Sequence, residues 1–436
     1  MTEQAHELAK ALNADLQDGG SSLFSMLSVK GRRAFFPSRG ILGQSAEAKD
    51  SSINATIGTA FEEDGSPLCL ECLEGLINLP STAYLYAPSF GLPGLRDAWR
   101  DMLLTKNPSL AGKRFSLPVV THALTHGLFV AGYLFVDPGE SLILPDLYWD
   151  NYELLFEEGC GGTLTTFPMF EGDRFNTAGM ERLLLAPGDK KIVILNFPNN
   201  PTGYTATESD AQAIRAALLR AVEAGKRVVV ILDDAYFGLV YEQGVSKESL
   251  FTQLCDLHPN LLAIKLDGPT KEDYVWGLRV GFMTFGAKGA TPAQYKALEA
   301  KAAGAVRGSI SSVTNIGQSL LLNAYRNPAY AAQKQEKFNT LQRRYARIKE
   351  IFAAHPEYAQ SFVPMPFNSG YFMCVRPLGV DAETVRKRLL ATRDTGVIVL
   401  MGLIRIAFSS VPCDKLDALF ENLHAVIQEQ KATQAS

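Results

Sequence analysis

The chain has 436 residues, 47% hydrophobic and 20% charged, with a formal net charge of −4. This is globular composition, long enough for two or three domains. It excludes a basic nucleic-acid binder, a block-charged disordered tail and, with no apolar run of spanning length, a helical membrane protein. The opening MTEQAHELAKALNADLQDGG carries acids and lacks the apolar core of a signal peptide, and six cysteines in a chain this size make no disulfide framework. Both features point to a reduced, cytoplasmic protein.

In chain order, residues 51–60 (SSINATIGTA) predict a short strand and turn, and 67–79 a helix. Cys69 and Cys72 form a C-x-x-C pair, but no second ligand pair follows at zinc-site spacing, so they read as helix cysteines one turn apart. Tyr84 to Gly91 is turn chemistry, and Leu95-Arg96-Asp97-Ala98-Trp99 opens an amphipathic helix. Apolar strands are predicted at 117–121, 141–145, 163–167, 191–196, 228–233, 261–266 and 280–285. Helical stretches fall between several of them, at 124–136, 149–158 and 207–225. Strands alternating with helices predict an α/β fold: a mostly parallel seven-stranded sheet covered on both faces. Residues 292–354 read as long helices, 370–376 and 404–408 as short strands, and 414–429 as a closing helix. That last third predicts a smaller α+β domain. The expected division is 1–65 as an N-terminal arm and part of the small domain, 66–325 as the large domain, and 326–436 as the small C-terminal domain. His122 and His126 are one helical turn apart but lack the glutamate of a zincin helix, so no metal site is expected.

Five stretches carry chemistry. Lys271, in Gly268-Pro269-Thr270-Lys271, sits among small residues that let a flat ring approach an amine, and Arg279 follows eight residues on. A lysine that can form a Schiff base and an arginine that can grip a dianion are what a pyridoxal phosphate (PLP) site needs. Lys265 is the rival lysine, inside an apolar strand. The strand Val228 to Leu232 delivers Asp233, with Asp234 beside it, to its carboxyl end. A buried carboxylate there needs a cation, and a protonated pyridine nitrogen is one. Strand alternation sends the two aspartates to opposite faces, leaving either as the candidate. Tyr236 could reach the ring oxygen. Another strand ends in Asn199-Asn200-Pro201-Thr202-Gly203, where open α/β sheets bind ligands. A third ends at Thr121-His122-Ala123-Leu124-Thr125 and starts a helix, whose N-terminal amides and Thr125 hydroxyl suit a phosphate. Tyr148-Trp149 follows a fourth strand end and offers a stacking aromatic.

The order N-N-P-T-G, D-x-A-Y, then T-K with arginine eight residues later resembles the fold-type I PLP enzymes, and within them the class I/II aminotransferases of the aspartate aminotransferase type. The resemblance covers about residues 50 to 430. It implies the PLP-transferase fold with PLP as cofactor. It implies Lys271 as Schiff-base lysine and proton carrier, Asp233 as partner of the pyridine nitrogen, and Tyr236 and Asn200 as partners of the ring oxygen. Arg279, Thr125 and the backbone of Leu124 would hold the phosphate, and Trp149, with Tyr148 as alternative, would stack on the ring. Tyr86, in Tyr-x-Pro-x-x-Gly, would reach the phosphate of a second subunit, so a homodimer with shared sites is implied. Arg405 would fork onto the substrate α-carboxylate, with Asn200 beside it. Arg307 matches an arginine that crosses the interface to grip a side-chain carboxylate. Gly268 stands where many members carry serine, and Ala123-Leu124 where glycine is usual, which shifts the phosphate cup toward Arg279 and a neighbouring subunit.

The function this implies is amino-group transfer from an amino acid to a 2-oxo acid, with aspartate, glutamate or 2-oxoglutarate among the substrates. A PLP-dependent β-lyase or decarboxylase is the alternative, because the same residues serve both and substrate orientation decides. A regulator fused to a DNA-binding region is disfavoured by the absence of a helix-turn-helix or basic patch. Small-molecule substrates are the expected partners, with no nucleic acid and no membrane.

Overall fold

Apolar, β-branched runs such as Val228 to Leu232 leave no polar face, so they are stable only inside a sheet covered on both sides. A computed structural model describes residues 6–17, 27, 32, 40–74 and 79–435. It places seven runs in one sheet: β1 (Val119–Thr121), β2 (Ser141–Pro145), β3 (Thr163–Phe167), β4 (Lys190–Asn196), β5 (Arg227–Asp233), β6 (Leu261–Asp267) and β7 (Gly281–Gly286). The order across the sheet is β1-β7-β6-β5-β4-β2-β3, and only β7 runs antiparallel to its neighbours. Strand alternation splits the buried side chains between two cores. Val193, Leu195, Val230 and Leu232 face one side, where the helix Glu208–Glu223 packs. Ile192, Ile194, Val229 and Ile231 face the other, with Trp99, Leu128 and Val306 from helices α1 (Pro93–Lys106), α2 (Ala123–Phe135) and α3 (Pro292–Ile310). The start of α3 has a local cause: Thr291 accepts from the Gln294 amide, the Gln294 side chain accepts from the Thr291 amide, and Pro292 occupies the first turn. Such a cap contributes about 1 kcal/mol.

The last third forms a smaller α+β layer. Strands β8 (Phe362–Pro364), β9 (Phe372–Pro377), β10 (Ile398–Leu400) and β11 (Leu403–Ala407) pair antiparallel in the order β8-β9-β11-β10. Helices α4 (Tyr330–Ala354), α5 (Ala382–Arg393) and α6 (Leu416–Ala435) pack on it. Ile53–Asn54 pairs parallel with Thr395–Gly396, which joins an early segment to this late layer.

Several local expectations are corrected. Of the helix expected over 67–79, only Glu71–Glu74 is helical; Pro67 forms an isolated bridge to Phe61, and 75–78 lie outside the described residues. The helix starts only at Glu71, and Cys69 precedes it rather than sharing it with Cys72. The stretch 149–158 contains the wider π-turn Glu153–Glu158 in place of a regular helix. The expected helices of 292–354 are three, broken at Ser311, whose φ of 68° no α-helix accommodates, and again before Tyr330. Strands β8 and β10 and helix α5 were not among the expected elements; at three residues each, the two strands are too short to show a period.

Candidate active site

The carboxyl ends of the central strands stand level. Asn196 on β4 pairs in register with Asp233 on β5, which pairs with Leu266 on β6. A cavity of about 190 Å³ opens there, the place where parallel sheets bind ligands. Nine of the eleven expected site residues line it: Leu124, Thr125, Trp149, Asn200, Asp233, Tyr236, Lys271, Arg279 and Arg405.

Asp233 continues the alternation of Val229 and Ile231 and so turns toward the core that holds Tyr152. The Tyr152 hydroxyl donates to Asp233 Oδ2 at 2.6 Å, and the Asn196 side chain donates to the Asp233 carbonyl at 2.7 Å. Oδ1 is buried with no hydrogen-bond partner among the described residues. Burial pushes this carboxyl up to about 6, against the pull of the Tyr152 hydrogen bond and the Lys271 charge. Asp234 points the other way, accepting from Ser249 at 2.6 Å and pairing with the fully buried Lys265, which also meets Asp267 at 3.2 Å. Lys265 and Asp234 are thus a buried ion cluster behind the cavity.

Lys271 lies in the single turn Pro269–Glu272 that follows β6. Two glycines let three segments converge here. A Cβ on Gly268 would stand 3.0 Å from Gly281 Cα and 3.1 Å from Leu124, and a Cβ on Gly281 would stand 2.7 Å from the Ala123 carbonyl carbon. A side chain at 268 would require these neighbours to give by a few tenths of an ångström. The ammonium of Lys271 is 5.3 Å from the centre of the Tyr236 ring. Burial lowers its pKa to about 8, and Arg279 adds to that while Asp233 opposes it.

Two further cations face the same space. Arg279 takes a left-handed backbone (φ 53°) and donates to the Trp276 carbonyl at 3.4 Å. Arg405, on β11, is 2% exposed; it donates to Asn200 Oδ1 and the Thr56 carbonyl, both at 3.1 Å, and stacks on Phe372 at 4.4 Å. Burial lowers the pKa of both guanidinium groups. Three cations against one carboxylate leave a surplus of two positive charges, a field that attracts an anionic ligand. Arg405 Nε and Thr270 Oγ1 join Asp233 Oδ1 as buried polar atoms of cavity-lining residues without a partner among the described residues. Together they suit a flat ring with a protonated nitrogen, a dianionic group and a carboxylate.

Trp149 lines the cavity, whereas Tyr148 donates to Glu153 at 2.8 Å beside it. Tyr152, Asn196, Thr270 and Phe372 complete the surroundings with little sequence signal of their own: each is one polar or aromatic residue whose place depends on the register of neighbouring segments. Asn196 alone could have been found, as the amide ending an apolar strand. Tyr86 and Arg307 are not brought into this cavity within one chain. Tyr86 is 89% exposed, and Arg307, in the last turn of α3, is exposed and donates to Ser311 at 2.7 Å. The His122 amide donates to His126, whose other ring nitrogen lies 2.9 Å from the Ser309 hydroxyl, and burial lowers His126 to about 4. No group of three or more metal-ligating side chains occurs among the described residues.

Comparison with known proteins finds the profile of the family described as Aminotransferase class I and II over residues 64–423. A protein of Aquifex aeolicus named as a probable aspartate/prephenate aminotransferase is 28% identical over 262 residues, which span 59% of this chain and 61% of that protein. The aspartate aminotransferase of Geobacillus stearothermophilus is 24% identical over 64% of this chain and 67% of its own length. Among solved structures, an aminotransferase from Anaerococcus prevotii superimposes with a TM-score of 0.81 at 22% identity, covering 92% of this chain and 98% of the other.

Proposed function

The chain belongs to the class I and II aminotransferases, whose cofactor is PLP, and on that premise we propose that it moves an amino group from an amino acid to a 2-oxo acid. The observation that carries this reading is the unpartnered Oδ1 of Asp233 at the end of β5, in one cavity with Lys271, Arg279 and Arg405. Bound PLP supplies an electron sink for the carbanion formed at the substrate α-carbon. Asp233 would hold the ring nitrogen in its protonated form. Arg279, Thr125 and the amides at the start of α2 would hold the phosphate. Trp149 would cover one ring face, and Tyr236 and Asn200 would bond the ring oxygen. Arg405 binds and orients the substrate carboxylate through its planar fork, and Phe372 holds that fork flat. Lys271 Nζ takes the α-proton, which its lowered pKa allows near neutral pH. A β-lyase or decarboxylase on this fold is disfavoured by the family profile, which is named for transamination.

The proposal extends to the substrate. Relatives named as aspartate aminotransferases, and Arg307 at the end of α3, support a dicarboxylic amino acid and 2-oxoglutarate as the partner pair. The test is a panel of amino acids with the holoenzyme, scoring the 2-oxo acid formed. The matching 2-oxo acid is expected with aspartate or glutamate, and Arg307→Ala should weaken these, by about 2–5 kcal/mol, far more than alanine or phenylalanine. Ammonia or carbon dioxide released in its place would overturn the transferase reading. Equal losses for acidic and neutral substrates would return Arg307 to the solvent surface.

A homodimer belongs to the same proposal. Exposed Tyr84, Leu85, Tyr86 and Tyr133, at 74%, 65%, 89% and 68%, are large apolar side chains that a second copy could cover, with Tyr86 reaching its site. Sedimentation at assay concentration should give a dimer; a fully active monomer would refute it. A cytoplasmic location rests on the sparse cysteine usage. The division at about 65 and 325 into arm, large domain and small domain is likewise proposed, supported by the separate cores of the two sheets.

A further inference from the structure

We propose that the chain carries a second small-molecule site, apart from the reaction cavity, that binds an organic anion: an acid group on an apolar body. A cavity of about 670 Å³ lies between the end of α1, the turn after β5 and the first turns of α4. That is the size range of small-molecule sites, which are mostly apolar with a few placed polar groups. Met102, Phe237 and Phe338 form apolar wall, and Lys106 and Lys334 project from two helices into the same space.

The charge arrangement selects the sign of the ligand. Lys106 donates to both oxygens of Glu272, at 2.9 and 3.1 Å, and Lys334 bridges Glu272 at 2.7 Å and Asp273 at 2.8 Å. The carboxylates are the deep side of this cluster, with side chains 3% and 1% exposed, while the lysines keep 19% and 24%. Solvent therefore meets the ammonium groups first, with Glu272 behind them in the cavity lining. Burial raises the Glu272 carboxyl, but Lys106 and Lys334 outweigh it and hold the group below the ordinary carboxylate range, so these charges persist across the physiological range. Lys106 directs two donors at Glu272 and lies 4.3 Å from the centre of the Trp99 ring, while Lys334 also reaches the Tyr330 hydroxyl at 3.4 Å, so a guest anion would share these ammonium groups with their present partners. Lys247 at the wall adds a third, exposed cation. Lys265 lies close by in sequence to Glu272 but is fully buried against Asp234 and Asp267 and contributes no charge to this space. Glu272 directly follows Lys271, so a single turn, Pro269–Glu272, separates this site from the reaction cavity.

The test is calorimetric titration of the holoenzyme with 3-phenylpropionate and with decanoate, which distinguish an aromatic acid from a fatty acid as the natural class. At least one should bind, and 3-phenylpropionamide, which lacks the charge, should bind ~10-fold more weakly or not at all. Ala331 is exposed on α4 and lines the cavity, so Ala331→Trp fills it without touching the core; affinity should fall at least ~10-fold with the melting temperature kept. Lys247→Glu, also at an exposed position, should weaken binding about threefold or more. Arg405→Ala should leave the binding in place. No heat with either acid, or binding that survives Ala331→Trp and vanishes in Arg405→Ala, would overturn the proposal. The readout needs no turnover, so it stands or falls independently of the transferase reading.

Discussion

Lys271→Ala should leave a folded protein with amino transfer reduced by at least ~10³, the upper part of the range for losing a positioned general base. The side chain is placed by the turn Pro269–Glu272 and is held there by a backbone bond, Tyr371 Oη donating to the Lys271 carbonyl at 2.9 Å. With a pKa of about 8, roughly a quarter of the amines are neutral at pH 7.5, against roughly a thousandth for an ordinary lysine. That difference is what burial contributes to the reaction. It also has a stability consequence. A lysine with a lowered folded-state pKa contributes stability that is present above the unfolded value, near 10.4, and lost as pH falls through about 8. At pH 7 the buried ammonium is therefore a cost, and the cofactor-free variant should melt no lower than the wild type. Borohydride treatment of the holoenzyme should fix the cofactor to the peptide carrying Lys271. A variant within tenfold of the wild-type rate, or label on the Lys265 peptide, would displace Lys271 from its role.

Asp233→Asn should cost at least ~10²-fold in rate, since an amide in place of the carboxylate no longer stabilises a protonated ring nitrogen, and each ~1.4 kcal/mol of barrier is tenfold. The same change should stabilise the cofactor-free protein at alkaline pH. Burial raises Asp233 to about 6 from the ordinary value near 3.9. A carboxyl raised on folding contributes stability that is fully present below the ordinary value and lost as pH rises through 6. Above that, the ionised group costs up to about 3 kcal/mol, from roughly two units at 1.36 kcal/mol each. The isosteric amide removes that cost while keeping an acceptor for Tyr152, whose hydroxyl is the 2.6 Å partner of Oδ2. Melting should show the full gain at pH 8, about half of it at pH 5, and little of it below the ordinary value. A rate within threefold of wild type would mean that Asp233 does not hold the ring nitrogen.

Both residues are destabilising as isolated groups, and they sit in one cavity with Arg279 and Arg405, whose charges burial also disfavours. This is a site strained toward a ligand. Its anions would relieve the three cations and its ring nitrogen would relieve Asp233. Binding energy and stability are coupled here by the same desolvation.

Much of this was legible in the chain because the signal is local. A short β-branched run such as Val228 to Leu232 reads as a strand buried on both faces, which puts its polar terminus at the strand's carboxyl end. Gly268-Pro269-Thr270-Lys271 and Arg279 are close in sequence, so their proximity in space needs no long-range contact. Those features settled the α/β class, the seven strands and the stretches that meet at the cavity. The tertiary structure decided what depends on register and on partners distant in sequence. It turned Asp233 rather than Asp234 to the cavity, on the face where Tyr152 lies. It set Trp149 rather than Tyr148 on the cavity wall, and it buried Lys265 in an ion cluster while leaving Lys271 at the opening. It brought Arg405 from the small sheet to Asn200, 205 positions earlier in the chain. Local preference indicates most of the elements, though not at 67–79 or 149–158, where the structure departs from it. Which of two adjacent side chains faces a site is set by the packing of segments far apart in sequence, and no short window of residues contains that information.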